Sequence, residues 1–599
     1  MSSGKIKNLS SLAKREKMKY NRSTVPVLPG KTTFGFTNLL KSETDMGKYA
    51  VGIDFGTLSC RAVVLDLETG AEAGSAEYVY PHGVMERRLP CGTVLGKDFA
   101  LQDPRDYVEG LSESVKSAVS ASGASASDII GMGVDFTSST VLALKKDGAP
   151  LCFDEKYKSR PHAYAKLWKH HGAAREADMF LKTAKERGER FLGYYGGGIS
   201  PEWMLPKMLE TFINDRDAYD ETDVFAEGGD YITRLLTGEK NAGKAGVGFK
   251  SFYNDEDGYP SKEYFSAVYP GFGDTVLEKL PRVIKLPGEA AGYMNKEGSA
   301  LTGLREGTPV ASFVLDAHAA LPASGAAGPG KMLLIMGTST VQVISCEKNK
   351  LIPGISGIVK DGIVPGLYSI ETGQSSTGDL YDWFTKNCVS GEYVSEAESR
   401  GISLHSLLTE KCSRLSPGAS GILALDWWNG NRSVLQRAEM SGLMIGMTLT
   451  TAPEEMYRAA LEATAFGSRI IFENLENGGV QASEIIASGG IPLKNPFLVQ
   501  MYSDVFKRPI SVSPVKQPGA FGSALYGAVA GGYFPSITEA SDKLGARPVK
   551  TYYPNAENSK IYDLLFDEYV KLHDYFGRGG SEVMRRLREI SADCAKGEK

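Results

Sequence analysis

No apolar run in the 599-residue chain approaches the roughly 18 residues that a membrane-spanning helix needs, so the sequence offers no helical span. Charge of one sign is also missing. Lys and Arg number 67 and Asp and Glu 72, leaving a net −5, which argues against a general nucleic-acid or anionic-membrane binder. Cysteine is sparse and unpatterned: seven residues at 60, 91, 152, 346, 388, 412 and 594, with no CxxC spacing. Neither a disulfide framework nor a zinc site is expected from that, and a reducing, cytoplasmic setting is. What is present is ordinary for a globular protein, with 42% hydrophobic and 23% charged residues, in a chain long enough for two large domains.

Residues 1–47 stand apart. Up to position 42 they carry many lysines, two arginines (Arg15 and Arg22) and a single acid, Glu16. They lack a secretory apolar core and the arginine bias of a transit peptide. They read as a disordered extension, and folding is expected to begin near Lys48.

From there strands and helices alternate, with strand candidates at 50–55, 61–67 and 129–135 and a loop-rich stretch at 150–205. The alternation restarts at 304 with PVASFVLDAHAA. The clearest helix is 453–476, where Thr451 and Glu454 suggest a capping box, Pro453 sits in the first turn, and Gly478-Gly479 ends it. A strand (EIIAS), a turn at Gly489-Gly490 and a helix from Pro496 follow. A last amphipathic stretch, 559–590, is interrupted at GRGG.

Two segments carry one device. VGIDFGTLSCRAVVLDL holds Asp54, Gly56, Thr57, Ser59 and Arg61, and MLLIMGTSTVQVIS holds Gly337, Thr338, Ser339 and Thr340. Each is an apolar strand, a Gly-Thr turn with hydroxyls, and a second apolar strand. Such a tip aims backbone N–H groups and hydroxyls at one spot, which suits a phosphate oxygen. Between them Asp316 ends the apolar run SFVLD. As a bare strand-end aspartate it would only cap the next helix; ahead of the second tip it is a candidate base for a hydroxyl, and the pattern points to phosphoryl transfer.

Other motifs weigh less. Asp54-Phe55-Gly56 spells DFG, but the catalytic loop and lysine of a protein kinase are missing. The stretch 243–251, GKAGVGFKS, nearly spells a phosphate-binding loop, with its lysine one residue late; it reads as a surface turn. His162, His170 and His171 cluster without a carboxylate or thiolate at ligand spacing, so structural or substrate-loop roles are expected over metal binding. Lys207 and Glu371 are single charges in apolar or small-residue surroundings, open to solvated-edge or functional readings. Trp427-Trp428 reads as packing.

Together these segments resemble the FGGY family of carbohydrate kinases, and its L-ribulokinase branch closely, over about residues 48–590. DFGTLSCRAV, GVDFTSST, RPHAYAKLWKHH, ISPEWMLPK, VLDAHAA, IMGTST, ETGQSSTGD and ALDWWNGNRS carry the resemblance, and SGGIPLKNPFLVQMYSDVFKRPI with PGAFGSAL looks like the second family signature. The resemblance implies an α/β fold of two ribonuclease-H-like domains, as in actin and hexokinase, flanking a central cleft, divided as 48–303 and 304–599. It implies ATP-dependent phosphorylation of L-ribulose to L-ribulose 5-phosphate in arabinose catabolism, with ATP and magnesium; D-ribulose, ribitol or xylulose are alternative acceptors, and a non-catalytic sugar sensor is a further one. Asp316 would be the base. Gly56, Thr57, Ser59 and Arg61 would meet ATP at the first phosphate loop, with Asp54 near magnesium, directly or through water. Gly337, Thr338 and Ser339 would form the second loop, and Gly489, Gly490 and Asn495 would border the adenosine. Ser138, Lys207 and Glu371 would line the ketopentose pocket with Asp316. A homodimer is left open. Two departures stand out. Ser138-Ser139 replaces the family's alanine-cysteine, and NAGKAGVGFKS differs from its NxCTxGYK pattern.

Overall fold

The computed structural model describes residues 49–597, so the extension expected at 1–47 lies outside the described residues. Among these, no helix is long and apolar enough to cross a membrane.

Two sheets are built to one plan. In the first, Tyr49–Phe55 pairs antiparallel with Ser59–Asp66, which pairs with Glu72–Val79. On its other side Tyr49–Phe55 runs parallel to Ile129–Phe136, and Pro309–Ala311 follows. In the second, Lys331–Met336 pairs antiparallel with Thr340–Cys346, which pairs with Tyr368–Gln374. On its other side it runs parallel to Glu484–Ser488, itself parallel to Ile510–Val512. Short turns join Tyr49–Phe55 to Ser59–Asp66 and Lys331–Met336 to Thr340–Cys346, whereas each parallel neighbour requires a long crossover. The repeat visible in the sequence only as two Gly-Thr hairpins is therefore a repeat of topology, the ribonuclease-H-like order expected for the fold. The strands expected at 50–55, 61–67 and 129–135 are the first three partners in that scheme.

The first sheet recruits residues from far along the chain. Val314–Leu315 pairs with Ile129–Phe136, beyond the division expected at 303/304. The helix Pro518–Ala530 lies across the same sheet so closely that only glycine fits beneath it. A Cβ on Gly52 or Gly133 would stand 1.9 and 1.8 Å from the backbone oxygens of Ala520 and Ser523. Its apolar residues join the core of the first sheet.

The long helix forms over Pro453–Asn477, with its cap one residue later than expected. Glu455 accepts the Ala452 N–H at 2.8 Å, while the Thr451 hydroxyl accepts from the Thr448 N–H. Pro453 explains the shift: it occupies the first helical position, so the residue just before it is the cap. The stretch 150–205 is less irregular than expected, since Ala174–Arg187 is a helix of 14 residues. Gly489-Gly490 is not a simple turn either, because Gly490 opens the short helix Gly490–Lys494.

The reading of 243–251 as a surface turn is overturned. Lys244–Lys250 is a helix with every residue buried. Its glycines make this possible: a Cβ on Gly246 would come within 2.9 Å of Phe313, and one on Gly248 within 2.5 Å of Val359. Small residues let the backbone approach a packed wall, a geometry that local composition mimics as a loop.

Candidate active site

Both hairpin tips close in the same way. The Gly56 N–H reaches the Ser59 carbonyl at 3.0 Å, and the Gly337 N–H reaches the Ser339 carbonyl at 2.9 Å. At the first tip the Thr57 carbonyl accepts from Gln102 Nε2 at 2.7 Å and the Thr57 hydroxyl from Trp168 Nε1 at 3.2 Å. Ser59 donates its hydroxyl to Glu77 at 2.8 Å, and Arg61 pairs with Glu77 at 3.0 Å and lies 3.9 Å from Asp54. Arg61 is thus held at the tip by carboxylates on both sides.

The second tip is pinned from behind by the N-terminus of the helix Gly378–Asn387. The N–H groups of Thr377 and Gly378 donate to the carbonyls of Thr338 and Gly337 at 2.9 and 3.0 Å. Gly489 has φ +102° and packs on the strand that leads into this tip; a Cβ there would stand 2.6 Å from the Met336 carbonyl oxygen. Gly489 and Gly490 therefore border the second tip. Asn495 lies at the start of Pro496–Phe506, where its Oδ1 accepts the Leu498 N–H at 3.0 Å as a helix cap.

Asp316 opens the helix Asp316–Ala323 and accepts the Ala317 N–H at 2.8 Å. Burial, then the charges of Asp54 and Glu371, push its carboxyl up to about 7. Those two neighbours come from different sheets, so Asp316 is electrostatically tied both to the first hairpin tip and to Tyr368–Gln374. Asp54 is itself raised, burial outweighing the hydrogen bond with Asp135 and the Arg61 charge. Asp135, its register partner on the next strand, is buried and takes the Ser523 hydroxyl at 2.6 Å.

Beside Asp316 stands a buried triad in which only Glu371 was expected. Lys250 Nζ donates to Glu371 Oε1 at 2.8 Å, and His318 Nε2 lies 3.0 Å from Oε2. Burial alone would raise the Glu371 carboxyl, but Lys250 and His318 outweigh it and hold it well below the usual range. Burial pushes His318 down. A neutral imidazole has one N–H, which the carboxylate fixes on Nε2.

The lysine that meets Glu371 is thus Lys250, not Lys207. Lys207 Nζ donates to the backbone carbonyls of Ser139, Leu167 and Lys166 at 2.6, 2.8 and 3.3 Å. Three donors meet three acceptors, so no N–H is left for a sugar. Ser138 flanks Ser139 on the same turn and is partly exposed. The signal for Lys250 was present in the segment dismissed as a turn: a lysine ending a charge-poor, glycine-rich run too apolar for a surface loop. His318 lay two residues past Asp316.

Among the described residues no group of three or more His, Cys, Asp or Glu side chains could hold a metal. His170 bonds to Glu210 at 3.0 Å, and burial pushes His162 down to about 3 and His170 down to about 4. Trp427 is buried, as expected of packing.

Two family models fit this chain in succession. Residues 49–322 match the N-terminal domain of the FGGY family of carbohydrate kinases, and residues 332–531 match its C-terminal domain. The chain belongs to the FGGY family of carbohydrate kinases. It is 44% identical to a ribulokinase of Halalkalibacterium halodurans, over 91% of this chain and 98% of that protein. It is 42% identical to a ribulokinase of Mycolicibacterium smegmatis, over 92% of this chain and 98% of that protein. In fold it is similar to a ligand-bound xylulose kinase from Lactobacillus acidophilus, with a TM-score of 0.74 at 18% identity, covering 89% of this chain and 99% of that one. The two matches leave only residues 323–331 between them, just past Asp316 and the strand that leads into it.

Proposed function

We propose that this FGGY kinase is a ribulokinase, transferring the γ-phosphoryl group of ATP to L-ribulose to give L-ribulose 5-phosphate and ADP. The observation that carries the reading is the position of Asp316, a carboxyl raised to about 7 between the first phosphate loop and the Lys250–Glu371–His318 triad. A base must hold its proton affinity near working pH and reach the hydroxyl it deprotonates. Asp316 has that affinity, and its helix N-terminus orients it through the Ala317 N–H.

Each group then has a task. Lys250 and Glu371 present a donor and an acceptor for sugar hydroxyls, and His318 fixes the Glu371 carboxylate so that it cannot turn away. A site of paired buried polar groups rejects analogues lacking the matching hydroxyl, because the groups are then left unsatisfied. The tips at Gly56-Thr57 and Gly337-Thr338-Ser339 hold the phosphate chain, Arg61 adds a positive charge, and Gly489 with Gly490 leaves room for the adenosine. Asp316 takes the proton from the terminal hydroxyl as its oxygen attacks the γ-phosphorus.

Magnesium fits this arrangement as a companion of ATP. Asp54 and Asp135 are neighbouring carboxyls whose pKa values burial raises, so together they form an acidic pair whose ionised form a cation would stabilise. Magnesium commonly takes one or two carboxylates plus substrate phosphates and water. Asp54 would hold it, and its chemistry would be to neutralise phosphate charge.

The test is coupled ADP release across L-ribulose, D-ribulose, L-xylulose, D-xylulose and ribitol. The highest kcat/KM is expected on L-ribulose. A much higher value on D-xylulose or ribitol would transfer the enzyme to another branch, and ADP release independent of sugar would remove the kinase reading.

A further inference from the structure

Two buried charges beneath the Ser138 turn are not used by the mechanism. Lys207 is fully buried, and its strongest hydrogen bond pulls on the Ser139 carbonyl at 2.6 Å. Glu227 ends the strand Val224–Glu227, is 1% exposed, and neither of its carboxyl oxygens has a hydrogen-bond partner. Its register partner is Val141, one residue past the turn, and the Gly228 N–H beside it closes on the Thr140 carbonyl at 2.8 Å. An unpartnered buried carboxyl costs roughly 1–3 kcal/mol or more, so its retention asks for a reason.

The turn between these charges is itself unusual. Ser139 has φ +58°, a left-handed conformation that serine adopts at a cost. The Thr137 and Thr140 hydroxyls meet at 2.9 Å across it. Burial pushes the Glu227 carboxyl up to about 8, against the opposing charges of Lys207 and Lys250. Burial also pushes Lys207 down to about 7, with Glu227 first among the groups opposing that. Lys207 thus holds the carbonyl end of the Ser139 peptide, and Glu227 stands on the strand paired with the residue that follows the turn.

We propose that Lys207 and Glu227, buried together beside the 137–140 turn, form an electrostatically coupled clamp that holds it in its left-handed geometry and so fixes where the Ser138 hydroxyl meets the sugar. Both are positioning residues: the clamp sets which ketopentose epimer is admitted without touching it. This rests on the reading of Ser138 as part of the sugar pocket. Lys250 and Glu371, in contrast, act directly on the sugar.

The test is a double-mutant cycle on the full-length enzyme with Glu227→Gln, Lys207→Met and the two combined. It is read first by thermal melting, which needs no substrate. Each single leaves the other charge buried without its counterpart, so the double is expected to melt above Lys207→Met alone; melting shifts that simply add would overturn the clamp. Activity is read second. Each single is expected to raise the KM for L-ribulose roughly tenfold and change the L-ribulose to D-ribulose kcat/KM ratio at least about fivefold, with the KM for ATP within about twofold. An unchanged ratio in Glu227→Gln, whose side chain keeps its size, would also overturn it. Should Lys207→Met fail to fold, Lys207→Gln takes its place in the cycle. Wild-type enzyme that no ketopentose stimulates would refute the sugar-kinase reading, while the melting cycle would still decide the clamp.

Discussion

Replacing Lys250 with methionine separates two roles that a buried lysine can have. The residue is 4% exposed, and its Nζ is 2.8 Å from Glu371 Oε1. Removing one partner of a buried ion pair costs about 3–5 kcal/mol, because the remaining charge is left uncompensated. His318 still holds the other Glu371 oxygen at 3.0 Å, so the lower end, about 3 kcal/mol, is the working estimate. If that loss falls on sugar binding, kcat/KM for L-ribulose drops about a hundredfold, at roughly 1.4 kcal/mol per decade. The same variant is expected to melt lower, and Glu371→Gln added to it should recover stability without recovering sugar affinity. The assay is ADP release at varied sugar and fixed saturating ATP, beside a thermal melt of each variant. Lys250→Met retaining a normal sugar KM would refute the assignment of this lysine to the sugar pocket.

Three further outcomes follow from the same geometry. With Asp316 as the proposed base and its carboxyl at about 7, kcat/KM for the sugar should fall on the acid side with a pKa near that value, read from a pH profile. A folded-state pKa above the unfolded one means that the native protein binds more protons between about 4 and 7, so this group's contribution to stability is lost as pH rises through that window. Asp316→Asn should therefore melt higher than the wild type at pH 8, by at most about 4 kcal/mol of stability, while losing turnover. Gly489→Ala combines φ +102° with a Cβ 2.6 Å from the Met336 oxygen; it should lower Tm and raise the KM for ATP at least about tenfold, with little effect on sugar binding.

Local pattern made much of the fold legible. Apolar runs closed by Gly-Thr turns marked the central hairpin of each sheet, and Pro453 with Gly478-Gly479 bounded the long helix. The shared topology of the two sheets was hidden because it lies in hydrogen bonding between distant strands, such as Lys331–Met336 with Glu484–Ser488. The packing of Pro518–Ala530 on the first sheet was equally invisible, since it depends on the absence of side chains at Gly52 and Gly133. At the site, Asp316 and Glu371 stood out as charges in apolar surroundings. Lys250 did not, because its glycine-rich neighbours imitate a turn and only tertiary burial makes them a helix. Lys207 misled for the opposite reason: a lone lysine in an apolar helix looks functional, and only its three carbonyl acceptors show that its donors are spent.

In the proposed mechanism phosphoryl transfer to the sugar depends on Asp316, and one paired measurement addresses it. Asp316→Ala is compared with the wild type for L-ribulose binding by calorimetry and for L-ribulose-stimulated ADP release. Sugar binding within about tenfold of the wild type, with ADP release reduced by at least about a thousandfold, is the outcome expected of a base that acts on a bound hydroxyl. Turnover that persists in the variant with the sugar still bound would contradict it.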